Sequence, residues 1–310
     1  MPARSGTSVH AQTASGPATV LVVTGPARWG LRRRVLDRLD ELHLARQTVR
    51  LYELALAAKS RAIGPREHAE DGLPLPPSRL RAQAGPRHAD PAFFLHSGQR
   101  HAELISELLQ ANGSAIEELE AILDFGCGCG RVVRHWSELH GGRVCGCDVN
   151  PKMVDWCRAN LSFADFTVNS LSPPLPYGIS SFDLVYAFSV FTHLPRDLQH
   201  AWIAECFRVL EPEGYLLIST LGEHYLSLER LTESERQSFS DGDVVVLYEG
   251  SPGTSLCSAY HPPEYVHGKL AAEFELLSFL PAADDGRHDI HLFRKPAEPP
   301  VTSAHDAHTA

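Results

Sequence analysis

The stretch "ILDFGCGCGRVVRHW", residues 122–136, decides the fold. An apolar run enters it, glycines stand at 126, 128 and 130, and an apolar, helix-like run leaves it. A glycine-rich turn from strand to helix lets a ligand approach the backbone closely and offers N–H groups at the helix N-terminus. A tight turn with no ligand is the other reading of the glycines alone. The dinucleotide fingerprint is G-x-G-x-x-G. Here Gly126, Gly128 and Gly130 are spaced G-x-G-x-G and Arg131 follows directly. The third glycine comes one residue early, which argues against a pyrophosphate cradle and against a dinucleotide-dependent oxidoreductase.

The next strand candidate, "RVCGCDVN" (143–150), ends on Asp148. A carboxylate at that point can accept hydrogen bonds from both vicinal hydroxyls of a ribose. Its competing role is to cap the helix that starts at Pro151. Asn150 is better placed for that cap, with Pro151 at the first helical position. Asp124 lies inside the first apolar strand, where a carboxylate is costly to bury without partners. It is expected to accept loop N–H groups or to face an ammonium group.

Beyond this loop the chain alternates strand and helix. Apolar runs fall at 121–125, 143–148, 164–168, 182–188 and 214–220, with helical patterns at 130–140, 151–161 and 196–210. Such alternation implies an α/β fold with a parallel sheet and helices on both faces. The insertion 221–270 contains a further strand candidate, "VVVLYEG". "FELLSFL" and "DIHLFRK", joined by "PAADDGRH", read as an antiparallel pair at the sheet edge. Upstream, residues 1–18 read as a disordered arm. Residues 19–91 form a helical extension with a Pro-rich linker. Within it, Val35, Leu39, Leu42, Val49 and Leu56 recur near a period of 3.5 over 31–63, a stripe that docks on the main domain or pairs two chains as a homodimer. "GLPLPPSRLRAQAGPRHADP" (72–91) reads as a linker or a surface clamp, and a helix fits 97–111. The main domain is expected over 92–296, and 297–310 read as a disordered tail.

Composition bounds the function. The chain has 310 residues and a formal net charge of -10, so general nucleic-acid binding is not expected. No apolar run approaches the ~20 residues of a membrane span, and no secretory signal is visible. The cysteines number 7, an odd count in a long chain, which fits reduced thiols and a cytoplasmic location. Cys127, Cys129, Cys145 and Cys147 have C-x-C rather than C-x₂-C spacing, so no metal is expected. Arginine far outnumbers the four lysines, a bias that hints at a GC-rich bacterial genome.

Four stretches in order, "ILDFGCGCGR", "VCGCDVNPKMVDWCRANL", "SFDLVYAFSVFTHL" and "ECFRVLEPEGYLLIS", resemble the class I S-adenosylmethionine-dependent methyltransferases. The resemblance covers roughly 200 residues and implies a Rossmann-like, seven-stranded, mostly parallel sheet. In that sheet the sixth strand enters between the fifth and seventh, and the last runs antiparallel. It implies that Gly126, Cys127, Gly128 and Gly130 wrap the methionine part of S-adenosylmethionine beside Asp124, and that Asp148 holds the ribose. Val149 and Met153 are expected against the adenine, Asn169 or Ser170 at its amine, and Phe188 at the end of the fourth strand.

The implied reaction is in-line displacement at a sulfonium methyl, in which the protein aligns the nucleophile and excludes water. The acceptor is expected to be an oxygen or nitrogen of a small molecule, such as a natural product, sugar or peptide. A non-catalytic partner that only binds the cofactor is the alternative. His193, in "AFSVFTHL", is the first candidate base. Tyr260 and His261, in "SAYHPPEY", are candidates to shape the acceptor pocket. His96 and Arg100 lie on a helix expected to cover the cofactor. "SPPLPY" (172–177) is set apart from the nucleobase amino-methyltransferase motif because Leu175, not an aromatic residue, follows the prolines. "YAFSVFTHLPR" offers no carboxylate cluster for the hard cation of the metal-dependent catechol type.

Overall fold

The computed structural model describes residues 35–39, 44, 47, 69, 71–226, 231–284 and 287–297. The expected N-terminal arm, most of the 31–63 helix and nearly all of the tail lie outside them; residues 35–39 are helical. Five strands alternate with helices as the pattern requires: β1 (Ala121–Phe125), β2 (Arg143–Asp148), β3 (Asp165–Val168), β4 (Phe182–Ala187) and β5 (Leu210–Leu221). They pair in parallel in the order β3-β2-β1-β4-β5. β1 is buried along its whole length, so it reads as one apolar run rather than an alternation.

The sheet has nine strands. β6 (Val245–Leu247) and β7 (Ser258–Tyr260) come from the insertion and join the end of β5 through Leu221 and Tyr260. β8 (Glu275–Asp284) and β9 (His288–Arg294) form the antiparallel pair. The last strand, β9, lies between β5 and β8 and runs antiparallel to both. This reverses the expected order, in which the sixth strand stood inside. Burial explains the choice. Ile290, Leu292 and Phe293 are fully buried and take the interior slot, whereas Glu275 and Leu276 of β8 are exposed and suit an edge.

Two helices cover opposite faces of the sheet. α1 (Pro91–Ala111) starts earlier than the expected 97, because the Asp90 side chain accepts from the Phe93 amide at 2.8 Å and Pro91 stands at the first helical position. It buries Ile105 and Leu109. α2 (Pro151–Asn160) is capped by Asn150, as its sequence predicts. α3 (Arg196–Val209) buries Trp202, Ile203 and Cys206 on the other face. Fully burying one such aliphatic side chain is worth about 1.5–3 kcal/mol, so these stripes fix both helices on the sheet.

No α-helix follows the glycine loop over 130–140. Only Val133–Trp136 take helical form, as a 3₁₀ turn. Tertiary bonds hold this segment in place of a helical ladder. The fully buried Arg134 pairs with Asp71 at 2.6 and 3.0 Å, and Trp136 Nε1 donates to the Tyr186 hydroxyl at 3.0 Å. Asp71 begins the 71–90 segment, which contains turns at Ser78–Arg81, Ala82–Ala84 and Pro86–Ala89. Arg81 is buried there and donates to the carbonyls of His88 and Ala89. The segment is therefore an ordered strap across the carboxyl ends of the strands. Among the described residues no helix is long and apolar enough to cross a membrane.

Candidate functional site

A cavity of about 430 Å³ opens at the carboxyl ends of β1, β2 and β4, under the strap and α1. In open α/β sheets ligands bind at these ends, where loops diverge from the strands. Gly126 makes the first turn with φ of +82°, and a Cβ there would stand 2.4 Å from Val190 Cγ2. Only glycine meets both conditions.

The loop amides are committed within the protein. The N–H groups of Gly126 and Cys127 both donate to the Cys147 carbonyl, at 2.8 and 2.9 Å. The Gly128 amide donates to Asp148 Oδ2 at 2.9 Å. These three groups close on the end of β2 instead of pointing outward. The expected cradle of amides at a helix N-terminus is thus replaced by a shaped wall, because no α-helix follows and β2 consumes the donors.

Asp148 is held at both oxygens: Oδ1 accepts from the Asn150 amide at 2.7 Å and Oδ2 from Gly128. Each carboxylate oxygen keeps further acceptor capacity for a ligand hydroxyl. Burial raises its pKa, while the Asn150 and Gly128 amides pull it down. Asp124 is 4% exposed, and its Oδ2 has no hydrogen-bond partner. Burial pushes its pKa up to about 7, against the opposing pull of Tyr186 and Arg131. Asn169 donates from Nδ2 to the Ser170 carbonyl at 2.7 Å, and its buried Oδ1 is also unsatisfied. A buried polar atom without a partner costs about 1–3 kcal/mol. The cavity wall thus holds two acceptors, Asp124 Oδ2 and Asn169 Oδ1, that a donor-bearing ligand would satisfy.

Cys127, Val149, Met153 and Phe188 also lie on the wall. Gly130 and Ser170 do not: a Cβ on Gly130 would meet Leu161 in the core at 2.5 Å, and Ser170 is exposed. α1 contributes Phe93, Ser97 and His101, with His101 stacked on Phe188 at 3.9 Å between ring centroids. His96 and Arg100 are off the wall, and Arg100 pairs with Glu103 at 2.6 Å. The repeat 93, 97, 101 is one helical face, a signal present in "FFLHSGQRH". Gly98 lets α1 lie against the loop, since a Cβ there would stand 2.1 Å from the Arg131 carbonyl oxygen.

His193 stands on the turn after β4, on the cavity wall. Its Nδ1 lies 2.7 Å from the Cys257 carbonyl oxygen. A carbonyl only accepts, so Nδ1 carries the proton and Nε2 presents a lone pair. Burial lowers its pKa, which the bond to Cys257 partly opposes. The other two candidates lie away from the cavity. Tyr260 is buried in β7 against Leu221, Phe239 and Val245. His261 is fully buried, its Nε2 3.0 Å from Gln199 Oε1, and burial holds its pKa down to about 3. Both are core groups, because pairing of β7 with β5 turns them inward. From the insertion and the β8–β9 hairpin, it is instead Tyr225, residues 253–255, Arg287 and His288 that line the cavity.

Residues 123–218 match the family model for a methyltransferase domain. A 24-methylenesterol C-methyltransferase 2 of Oryza sativa subsp. japonica is 29% identical over 190 residues, 59% of this chain and 47% of the rice protein. A malonyl-[acyl-carrier protein] O-methyltransferase of Hahella chejuensis is 34% identical over 102 residues, 32% of this chain and 36% of the relative. The chain therefore spans about half or less of the length of these curated relatives. Among solved structures, a Burkholderia thailandensis 1,6-didemethyltoxoflavin-N1-methyltransferase superposes with a TM-score of 0.48 at 19% identity, covering 69% of this chain and 84% of that one.

Proposed function

Because residues 123–218 match the model of a methyltransferase domain, we propose that the chain is a class I S-adenosylmethionine-dependent methyltransferase, that the cavity binds this cofactor against the glycine loop and that His193 is the general base for methylation of an oxygen or nitrogen on a small molecule. The bound cofactor supplies an activated sulfonium methyl. The protein's residues bind, orient and deprotonate.

The unsatisfied acceptors support this assignment. Asp124 Oδ2 suits an ammonium group, and Asn169 Oδ1 suits an exocyclic amine. Asp148 keeps lone pairs for ribose hydroxyls, with its carboxylate already oriented by two backbone amides. Val149 and Met153 offer apolar surface beside it.

The observation that carries the catalytic role is the bond from His193 Nδ1–H to the Cys257 carbonyl. It fixes the tautomer and leaves Nε2 to accept a proton from the attacking group. Burial favours the neutral imidazole, the form that can accept a proton. Calorimetric titration with S-adenosylhomocysteine tests the cofactor half. Saturable binding is expected, and it should be lost when NAD is used instead. Tight cofactor binding with no transfer to any of a broad panel of hydroxyl and amine acceptors would favour a binding partner over an enzyme.

A further inference from the structure

The turn after β4 has a backbone conformation that its sequence does not favour. Ser189 has φ of +57°, in the left-handed region. There a Cβ crowds the following carbonyl oxygen, so a residue other than glycine is held at a cost. The facing loop meets the same demand with glycine, at 126, 128 and 130. Ser180, Glu213, Tyr248 and Ala282 also have positive φ, and none of them lines the cavity. Ser189 does.

The sheet imposes this conformation. The β4–β5 ladder ends at Ala187 and Ile218. Beyond it the Ser189 amide donates to Ser219 Oγ at 2.7 Å, and Ser219 is fully buried in β5. One residue on, Val190 packs against Gly126, and its carbonyl accepts from the His193 amide at 3.0 Å. The neighbour of Ser189 therefore touches both the glycine loop and the turn that carries the imidazole. A glycine at 189 would make the same turn and the same amide bond without the cost. What serine adds is a hydroxyl. That hydroxyl makes no hydrogen bond with a described residue, and it is not sealed from solvent.

We infer that Ser189 holds the nucleophilic group of the methyl acceptor through its hydroxyl, across from His193. The inference rests on the cavity being the methyl-transfer site. Its additional content is the contact that orients the nucleophile and the class of nucleophile that can make it. A serine hydroxyl both donates and accepts. An acceptor hydroxyl turns its proton to His193 Nε2 and takes a hydrogen bond from Ser189, which leaves one lone pair for the methyl. A primary amine meets the same two groups by donating an N–H to each, and its lone pair stays free. A carbon nucleophile offers neither contact and is excluded.

The test uses the full chain with two variants that both lack the hydroxyl. Ser189→Ala keeps the left-handed strain, and Ser189→Gly relieves it. The probes are phenol, benzyl alcohol, aniline and benzylamine, with release of S-adenosylhomocysteine as the readout. Both variants should lower turnover of the best probe about tenfold, the worth of one lost hydrogen bond. Both should bind S-adenosylhomocysteine as wild type does, by calorimetry. Ser189→Gly should melt no lower than wild type, because relief of the strain offsets the extra freedom of its unfolded chain. Wild-type turnover in either variant overturns the proposal, and so does an equal loss of S-adenosylhomocysteine affinity, which would make Ser189 a cofactor contact. A wild-type protein that binds S-adenosylhomocysteine and methylates none of the probes removes the enzyme reading and this contact with it. Failure to bind S-adenosylhomocysteine at all removes the cofactor reading first.

Discussion

One side of the cavity, proposed for the cofactor, is made by residues at consecutive strand ends, whereas the side proposed for the acceptor is gathered from Tyr225, residues 253–255, Arg287 and His288. On the first wall the backbone fixes the geometry: β1 and β2 pair in register from Ala121–Arg143 to Phe125–Cys147, so Asp124 and Asp148 can only emerge beside the glycine loop. On the second wall the elements are joined by side-chain and loop contacts, such as His193 Nδ1–H to the Cys257 carbonyl and the Gly253 amide to the His193 carbonyl at 2.8 Å. A wall set by strand register tolerates little change. A wall gathered from loops can be altered without disturbing the sheet.

The largest effect that can break this contrast is expected at its seam. His193→Ala should lower turnover of any accepted substrate by about 10²–10⁴-fold, the range of general base catalysis, with the affinity for S-adenosylhomocysteine unchanged. Release of that product reports turnover, and calorimetry reports affinity. Equal loss of both would mean that His193 belongs to the cofactor wall. The wild-type rate should stay level through neutral pH and fall only below the ordinary histidine range, since burial lowers the His193 pKa.

Asp148→Ala should weaken cofactor binding by about 10²–10⁴-fold, because two charge-assisted contacts are worth roughly 1.5–3 kcal/mol each and the variant also frees the Gly128 and Asn150 amides. Acceptor-side probes should bind almost as before, which calorimetry on the same sample measures.

Asp124→Asn separates stability from binding. Burial raises the Asp124 pKa from 3.8 to about 7. The folded state thus holds this proton more tightly than the unfolded one. The associated stability is fully present below the unfolded value and is lost as pH rises through about 7. At pH 8 the variant should melt a few degrees higher than wild type in the absence of ligand. Its cofactor affinity should be weaker and should no longer rise with pH near neutrality. Thermal melts and titrations at pH 6 and 8 check both signs.

The smallest effect is expected at Tyr260. Tyr260→Phe should leave turnover within about twofold, because the ring is packed against Leu221, Phe239 and Val245 away from the cavity. A large loss of turnover there would return the 258–261 segment to the acceptor wall.

The same contrast explains what the sequence could convey. The glycine turn, Asp148 and the Asn150–Pro151 cap are local patterns: the turn follows β1, Asp148 ends β2 and Asn150 caps α2, while Gly130 faces the core rather than the cavity. The cavity wall that they help to form also includes Val149, Met153 and Asn169, all within a few residues of a strand end. Tyr260 and His261 misled because an aromatic beside an imidazole looks chemical, while the pairing of Leu221 with Tyr260 that buries them is a long-range event. The order of β8 and β9 likewise depended on which strand had both faces covered. Arg287 and His288 stood in a stretch that read only as a turn, and nothing nearby in the chain announces that this turn reaches the cavity.

The commitment of the Gly126, Cys127 and Gly128 amides to β2 has a thermodynamic consequence. The loop is shaped during folding, so little backbone entropy remains to be lost when a ligand arrives. In amide hydrogen exchange these three groups should already be protected in the ligand-free protein, and ligand should change their rates less than those of the strap. The site then behaves as a preformed mould on one side, with whatever adaptation binding requires confined to the other.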